Sequence, residues 1–265
     1  MKRRILILGA ALSLASAITA RVLAQFGPSP AGPSKSSRAS APIDLTGYWV
    51  SVVTEDWRFR MIVPDKGDFA SVPLNPEGRR VANTWDPAKD KADGNECRSY
   101  GAAGLMRVPG RLHISWENDT TLRIDTDSGA QTRLLHFGGS EPSGTAPTWQ
   151  GYSVADWEGL RPGFLIAYMG QHSAGQRPEG YLKVLTTQMR PGYLRKNGVP
   201  YSGDAVLEEY FDSFEGLQGD TWLVVTTIVT DPQYLFQPFI TSTHFKKLSG
   251  ASGWDPTQCQ TDQPR

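Results

Sequence analysis

The sequence predicts an all-β protein, an antiparallel β-barrel, with a β-sandwich as the alternative. Three observations carry this. Apolar and polar residues alternate with period two in short runs, turn-forming residues separate those runs, and helical periodicity is scarce.

The chain of 265 residues opens on Lys2, Arg3 and Arg4, followed by an apolar run from Ile5 to Ile18. Val22 and Ala24 place small side chains before Gln25, the pattern of a cleaved signal peptide spanning 1–24. Ser13, Ser16, Thr19 and Arg21 interrupt the run before it reaches the about 20 apolar residues of a membrane anchor. Residues 25–42 are rich in Pro, Ser, Gly and Ala, which bury too little to offset the entropy of ordering, so a disordered leader is expected there. One domain, 43–265, follows.

Its first strand begins in Asp44-Leu45-Thr46-Gly47-Tyr48-Trp49. Asn75 to Asn83 suits a short helix, with Asn75 as its cap and Pro76 in its first turn. A three-stranded meander comes next. Leu112, Ile114 and Trp116 share one face of a strand over 111–117, Leu122 and Ile124 lie on a second, and Gln131 to Phe137 forms a third after the turn Asp127-Ser128-Gly129. Further strands are expected over Tyr181–Thr187, Val206–Phe214, Trp222–Val229 and Ile240–Lys247, all rich in β-branched and aromatic residues.

Basic and acidic side chains balance at 27 each, without a block of like charge. That composition disfavours a nucleic-acid partner, which demands a basic face. Past the leader no long apolar run offers a membrane span in the mature chain. The two cysteines, Cys97 and Cys259, would form a disulfide in an oxidising compartment and tie down the last residues. A periplasmic or secreted location is therefore expected, where nucleotide cofactors are scarce; no cofactor and no metal is assigned.

The segment Gly47-Tyr48-Trp49 resembles the Gly-x-Trp motif that opens lipocalin and related calycin barrels, where the tryptophan plugs the closed end. A wider resemblance covers most of the mature chain. Asp44 to Trp49, Cys97, Pro147 to Gly159 (PTWQGYSVADWEG), Gly198 to Ser202 (GVPYS), Glu209-Tyr210-Phe211 and Asp231-Pro232 through Pro238-Phe239 resemble a family of exported bacterial β proteins of uncharacterised function. That resemblance implies a fold and an address but brings no catalytic residues. The chain departs from the family at Leu160 to Gly180, a Gly/Pro/Gln-rich insertion that would act as a lid or a long loop.

Familiar catalytic signatures are absent: there is no G-x-S-x-G elbow, H-E-x-x-H, P-loop or C-x-x-C. The candidates for acid/base work are His113 with Glu117 on one strand face, His136, Glu158 beside Asp156, and Glu209. Histidine titrates near working pH and a carboxylate orients it, whereas on an outer face the same residues are ordinary surface. The candidates for ligand contact are Trp49, Trp116, Trp149, Tyr152, Trp157 and Tyr210, which would line a pocket with rings and leave an N–H or O–H to orient a ligand. Arg195 joins them, because its guanidinium fork suits a carboxylate.

Three functions stay open on this evidence. The first is a binding protein for an apolar or aromatic small molecule held in the barrel. The second is a cofactor-independent enzyme, an isomerase, lyase or hydrolase, using a His/carboxylate pair inside the barrel. The third is an envelope protein acting through partners.

Overall fold

The computed structural model describes residues 36–139, 144, 146–159 and 180–264. The expected signal peptide and nearly all of the 160–180 insertion lie outside them. Nine strands close into a barrel in the order β1-β11-β10-β9-β6-β5-β4-β3-β2. They are β1 (Gly47–Val52), β2 (Arg111–Asn118), β3 (Thr121–Thr126), β4 (Thr132–Phe137), β5 (Tyr152–Gly159), β6 (Gly180–Thr187), β9 (Val206–Glu215), β10 (Thr221–Thr230) and β11 (Phe239–Leu248). A separate hairpin pairs β7 (Gly192–Arg195) with β8 (Val199–Tyr201).

The barrel is not uniformly antiparallel. β4 and β5 run parallel, with Leu135 opposite Ser153 and Phe137 opposite Ala155. Topology demands this: each antiparallel neighbour reverses direction, so a closed ring with an odd number of strands must contain a parallel pair. A parallel pair also needs a crossover, and the chain supplies it over 138–151.

Alternation decides what faces inward. Leu112 and Ile114, Leu122 and Ile124, Leu182 and Val184, and Leu223 and Val225 are buried in one core with Trp49, Phe211 and Phe245. Their neighbours His113, Arg123, Asp125 and Lys183 stay partly exposed on the outer surface. No helix among the described residues is long and apolar enough to cross a membrane.

Both ends of the barrel are stoppered. At the end where β1 starts, Trp49 is fully buried and donates its indole N–H to the Leu45 carbonyl at 2.9 Å. Phe137 lies between Trp116 and Trp157 there, with ring centroids at 5.5 and 5.4 Å. Trp157 donates to the carbonyl of Ser37 at 2.9 Å, and the Arg38 amide donates to Asp119. The boundary expected at Ile43 therefore moves: residues 36–42 are fastened to the barrel end instead of belonging to a disordered leader. Hydrogen bonds to Trp157 and the β2–β3 turn supply an ordering energy that composition alone does not reveal.

The opposite end is capped by segments inserted after β1 and around β7–β8. Helices α1 (Trp57–Arg60), α2 (Pro76–Ala82), α3 (Pro87–Ala92) and α4 (Ala102–Leu105), with a 3-10 turn at Glu96–Tyr100, lie between β1 and β2. Asn75 caps α2 as expected, accepting from the Gly78 amide at 2.8 Å. The other three are short, and sequence periodicity is blind to a single turn. Ala82 of α2, Ala102 and Ala103 of α4, and Phe69, Val72 and Leu74 of the loop after α1 join Leu194, Val199, Tyr201, Leu207, Val229 and Phe239 in a second core. Gly198 turns the β7–β8 hairpin at φ 82°, where a Cβ would meet the Trp85 side chain at 2.2 Å; only glycine satisfies both demands.

The family-like motifs map onto this architecture. Ser202 donates its amide and hydroxyl to Asp231 at 2.7 and 2.9 Å, so GVPYS is pinned to the Asp231-Pro232 turn. Cys97 and Cys259 are joined in a disulfide, with Cα atoms 5.2 Å apart.

Candidate functional site

Among the described residues the barrel core is filled by aliphatic and aromatic side chains, and the aromatic residues expected to line a pocket either pack into that core or stand outside it. Trp49, Trp116 and Trp157 form the stopper already described. Tyr210 is on the outer wall, where its hydroxyl donates to Glu208 and its ring meets Tyr181 edge-on at 5.7 Å.

The expected His/carboxylate pairs do not assemble in the interior. His113 lies on the outer face, stacked on Tyr48 at 4.3 Å. Glu117, four residues along the same strand and so about 13 Å away, is exposed and ion-paired with Arg123 at 3.4 Å. His136 is also outside, stacked on Tyr152 at 4.8 Å, and its partial burial lowers its pKa. Glu158 accepts from the Tyr181 hydroxyl at 3.0 Å on the outer wall. His136, Trp149 and Gln150 do share a groove of about 360 Å³ on the outside. Gln150, however, donates to Tyr100 and Gln131, and the Trp149 ring is covered by Arg190 at 4.1 Å.

Glu209 does face inward, fully buried. Its two oxygens accept from Arg133 at 2.6 and 3.1 Å, a bidentate pair in which both side chains are solvent-free. Arg133 also donates to Thr186 at 3.3 Å, and Thr186 bonds Ser153 at 2.7 Å. Glu209 is thus a closed ion pair cross-linking β4 and β9 through the barrel, with no free carboxylate oxygen offered as a base.

Arg195 leads to a different kind of site. β7 and its turn are buried along their whole length, so consecutive residues 195, 196 and 197 all point into protein. Arg195 is 4% exposed; it donates to the Ala70 carbonyl at 2.6 Å and lies over Phe59 at 4.1 Å and near Phe239 at 5.9 Å. Asn197 donates to the carbonyls of Asp65 and Asp68, holding the loop after α1 against the turn.

Two further arginines arrive from elements that sequence reasoning did not connect. Arg60, in the last position of α1, is 3% exposed, bonded to Glu55, and donates to the Arg107 carbonyl at 2.9 Å. Arg107 follows α4, is 6% exposed, and pairs with Asp56 at 3.1 Å. Asp56 adopts a left-handed conformation at φ 49° and makes no cap bond to α1; its carboxylate reaches across to Arg107. Arg60, Arg107, Arg195 and Lys196 line one cleft with Phe59, Ile62 and Pro264, among others.

The electrostatics are unbalanced. Three buried guanidiniums have two hydrogen-bonded carboxylates, Glu55 and Asp56, and among the described residues Arg195 has no ion-pair partner. Four guanidinium nitrogens, Arg60 Nη2, Arg107 Nη1, and Arg195 Nε and Nη2, are buried without a hydrogen-bond acceptor. Burial lowers the pKa of Arg60 and of Arg195 to about 10, and repulsion from Arg107 adds to both. They remain cations at neutral pH. The cleft has about 30 Å³ of free space, enough for a water or two. A carboxylate group, two oxygens on one carbon, matches that volume and the guanidinium fork geometry. Ile62 and Pro264 supply apolar lining beside the guanidiniums.

The signal for this site was weak in sequence. Arg107 sits in Leu105-Met106-Arg107-Val108 and Arg195 in Tyr193-Leu194-Arg195, cations within apolar runs, but nothing in the spacing links them to Arg60. No protein-family model, curated protein or solved structure matches the chain.

Proposed function

We propose that this is an exported binding protein for a small molecule joining a carboxylate to an apolar body. The carboxylate enters the cleft at the capped end of the barrel and is held by Arg195, Arg60 and Arg107. The observation that carries the reading is the set of four buried guanidinium nitrogens without acceptors. Buried unpaired charge costs several kcal/mol, and buried donors left unbonded add to it; an anion seated there relieves both. The apolar body would rest on Phe59, Ile62 and Pro264. This keeps the small-molecule binding role expected from sequence but moves it from the barrel interior to the cap. Export is supported by the basic and apolar stretches of residues 1–24 and by the Cys97–Cys259 disulfide, which fits an oxidising compartment.

The test is thermal unfolding of the full-length exported product with benzoate, propionate, benzyl alcohol and chloride. Saturating carboxylate at 100 times Kd stabilises by about 2.7 kcal/mol. The expected result is a Tm rise with benzoate and propionate that Arg195→Met abolishes. Equal shifts with benzyl alcohol or chloride, or no shift in any, would overturn the reading.

A further inference from the structure

Lys196 is the cation in the cleft that the carboxylate reading leaves unused. It follows Arg195 directly, is 9% exposed, and lines the same cleft. Its ammonium has two neutral acceptors: Nζ donates to the Tyr100 hydroxyl at 2.5 Å and to the Gln263 carbonyl at 2.6 Å, and it lies over the Tyr100 ring at 4.1 Å. Loss of its proton therefore breaks no hydrogen-bonded ion pair, unlike the loss from a surface lysine such as Lys89 or Lys183. Burial lowers its pKa to about 7, with Asp262 opposing at longer range. A desolvated lysine held partly neutral is the form in which an amine attacks a carbonyl.

We propose that the site takes short oxo acids and that Lys196 forms an imine with their carbonyl carbon. The inference rests on the carboxylate reading above and deepens it: the guanidiniums take the carboxylate, and the amine takes the neighbouring carbonyl. In the step, the neutral Lys196 nitrogen forms a C–N bond while the carbonyl π pair moves to oxygen. The two amine protons leave with that oxygen as water, and the C=N bond closes. Tyr100, within hydrogen-bond reach of Nζ and held protonated because burial raises its pKa, is placed to donate to the departing oxygen and be reprotonated from the amine. Gln263 must give up its bond to Nζ, so the segment 257–264, fastened at Cys259, lifts locally when substrate enters.

The experiment uses the full-length exported product with pyruvate as the probe and cyanoborohydride to supply the hydride that reduces the iminium to a stable secondary amine. Peptide mass mapping then locates the adduct. At pH 7 a lysine with a pKa near 7 is about half neutral, whereas an ordinary one is neutral at roughly one part in a thousand. Lys196 is therefore expected to label at least about tenfold faster than the surface lysines, and propionate is expected to slow it as a competitor for the guanidiniums. Lys196→Arg loses the label while keeping the propionate-induced Tm rise. Labelling of Lys196 no faster than that of surface lysines, with the propionate Tm rise intact, overturns the imine and leaves the carboxylate site standing. Absence of both the label and the Tm rise overturns both readings.

Discussion

Two sets of arginine are sealed inside this molecule, and their partners set them apart. In the barrel, Arg133 is fully buried against a fully buried Glu209, two parallel N–H donors on two carboxylate oxygens, with Thr186 behind. At the cap, Arg60, Arg107 and Arg195 are almost as deeply buried but share two carboxylates, and Arg195 has a backbone carbonyl and two phenyl rings for company. The first arrangement is neutral as a pair, with a single donor, Arg133 Nε, left over and no charge to offer a ligand. The second leaves charge and donors over. Burial of an arginine is thus no evidence for function; the informative quantity is the mismatch between donors and acceptors around it.

The largest expected effect comes from breaking the complete pair. Glu209→Ala leaves Arg133 charged and alone in the core, which costs about 3–5 kcal/mol. Urea unfolding measures it, and the double replacement Arg133→Met with Glu209→Leu should recover most of the loss, since an apolar pair of similar volume is often neutral.

The disulfide comes next. Cys97→Ser with Cys259→Ser removes a bridge across a separation of 162 residues, with an expected loss of about 2–4 kcal/mol. It also frees the segment that supplies Gln263 to Lys196, so pyruvate labelling of Lys196 should rise in the residual folded fraction. A stability equal to the parent's would show that hydrogen bonds alone hold the segment.

At the cap the sign reverses. Replacing the under-paired Arg195 by Met removes an uncompensated charge, so stability without added anion should rise or hold, by about 0–3 kcal/mol, while carboxylate binding disappears. A loss comparable to that of Glu209→Ala would make Arg195 structural and erase the contrast.

A smaller effect sharpens the electrostatics. With its folded pKa lowered to about 7 by burial, Lys196 binds fewer protons folded than unfolded between about pH 7 and its ordinary value near 10.5. Its contribution to stability therefore rises with pH across that window and is lost as pH falls through 7. Lys196→Met should flatten the rise between pH 7 and 9.5 in urea midpoints. The smallest effects belong to the outer wall: His113→Ala and Glu117→Ala should each fall within about 0.5 kcal/mol of the parent and leave benzoate binding unchanged.

How much of this was legible in the sequence follows the range of the interactions involved. The meander, β6, β9, β10 and β11 were readable because alternation is local: each inward residue is specified by its own position in a period of two. The same alternation puts neighbours Glu208 and Glu209 on opposite faces, and Glu209 is the one turned inward. Its partner Arg133 lies 76 residues earlier, a pairing that only barrel closure creates. The short helices α1, α3 and α4 escaped because one turn shows no periodicity. Arg195 could be suspected from its fork chemistry, but Arg60 and Arg107 are gathered to it by α1, α4 and the β7–β8 turn, none of which the pattern announced. The histidines misled for a related reason: His113 and Glu117 share a face, but alternation alone does not make that face the inside, and the aliphatic partners Leu112 and Ile114 claimed the core.

The most direct test follows the arginine Nε–Hε resonances of the labelled protein by NMR during a benzoate titration. The account predicts that Arg195, which has no carboxylate partner among the described residues, shifts progressively and saturably, with Arg60 and Arg107 responding alongside, while Arg133, already neutralised by Glu209, stays fixed. A titration that leaves Arg195 unmoved, or that moves Arg133 equally, would contradict the claim that the cap is the open site and the barrel pair the closed one.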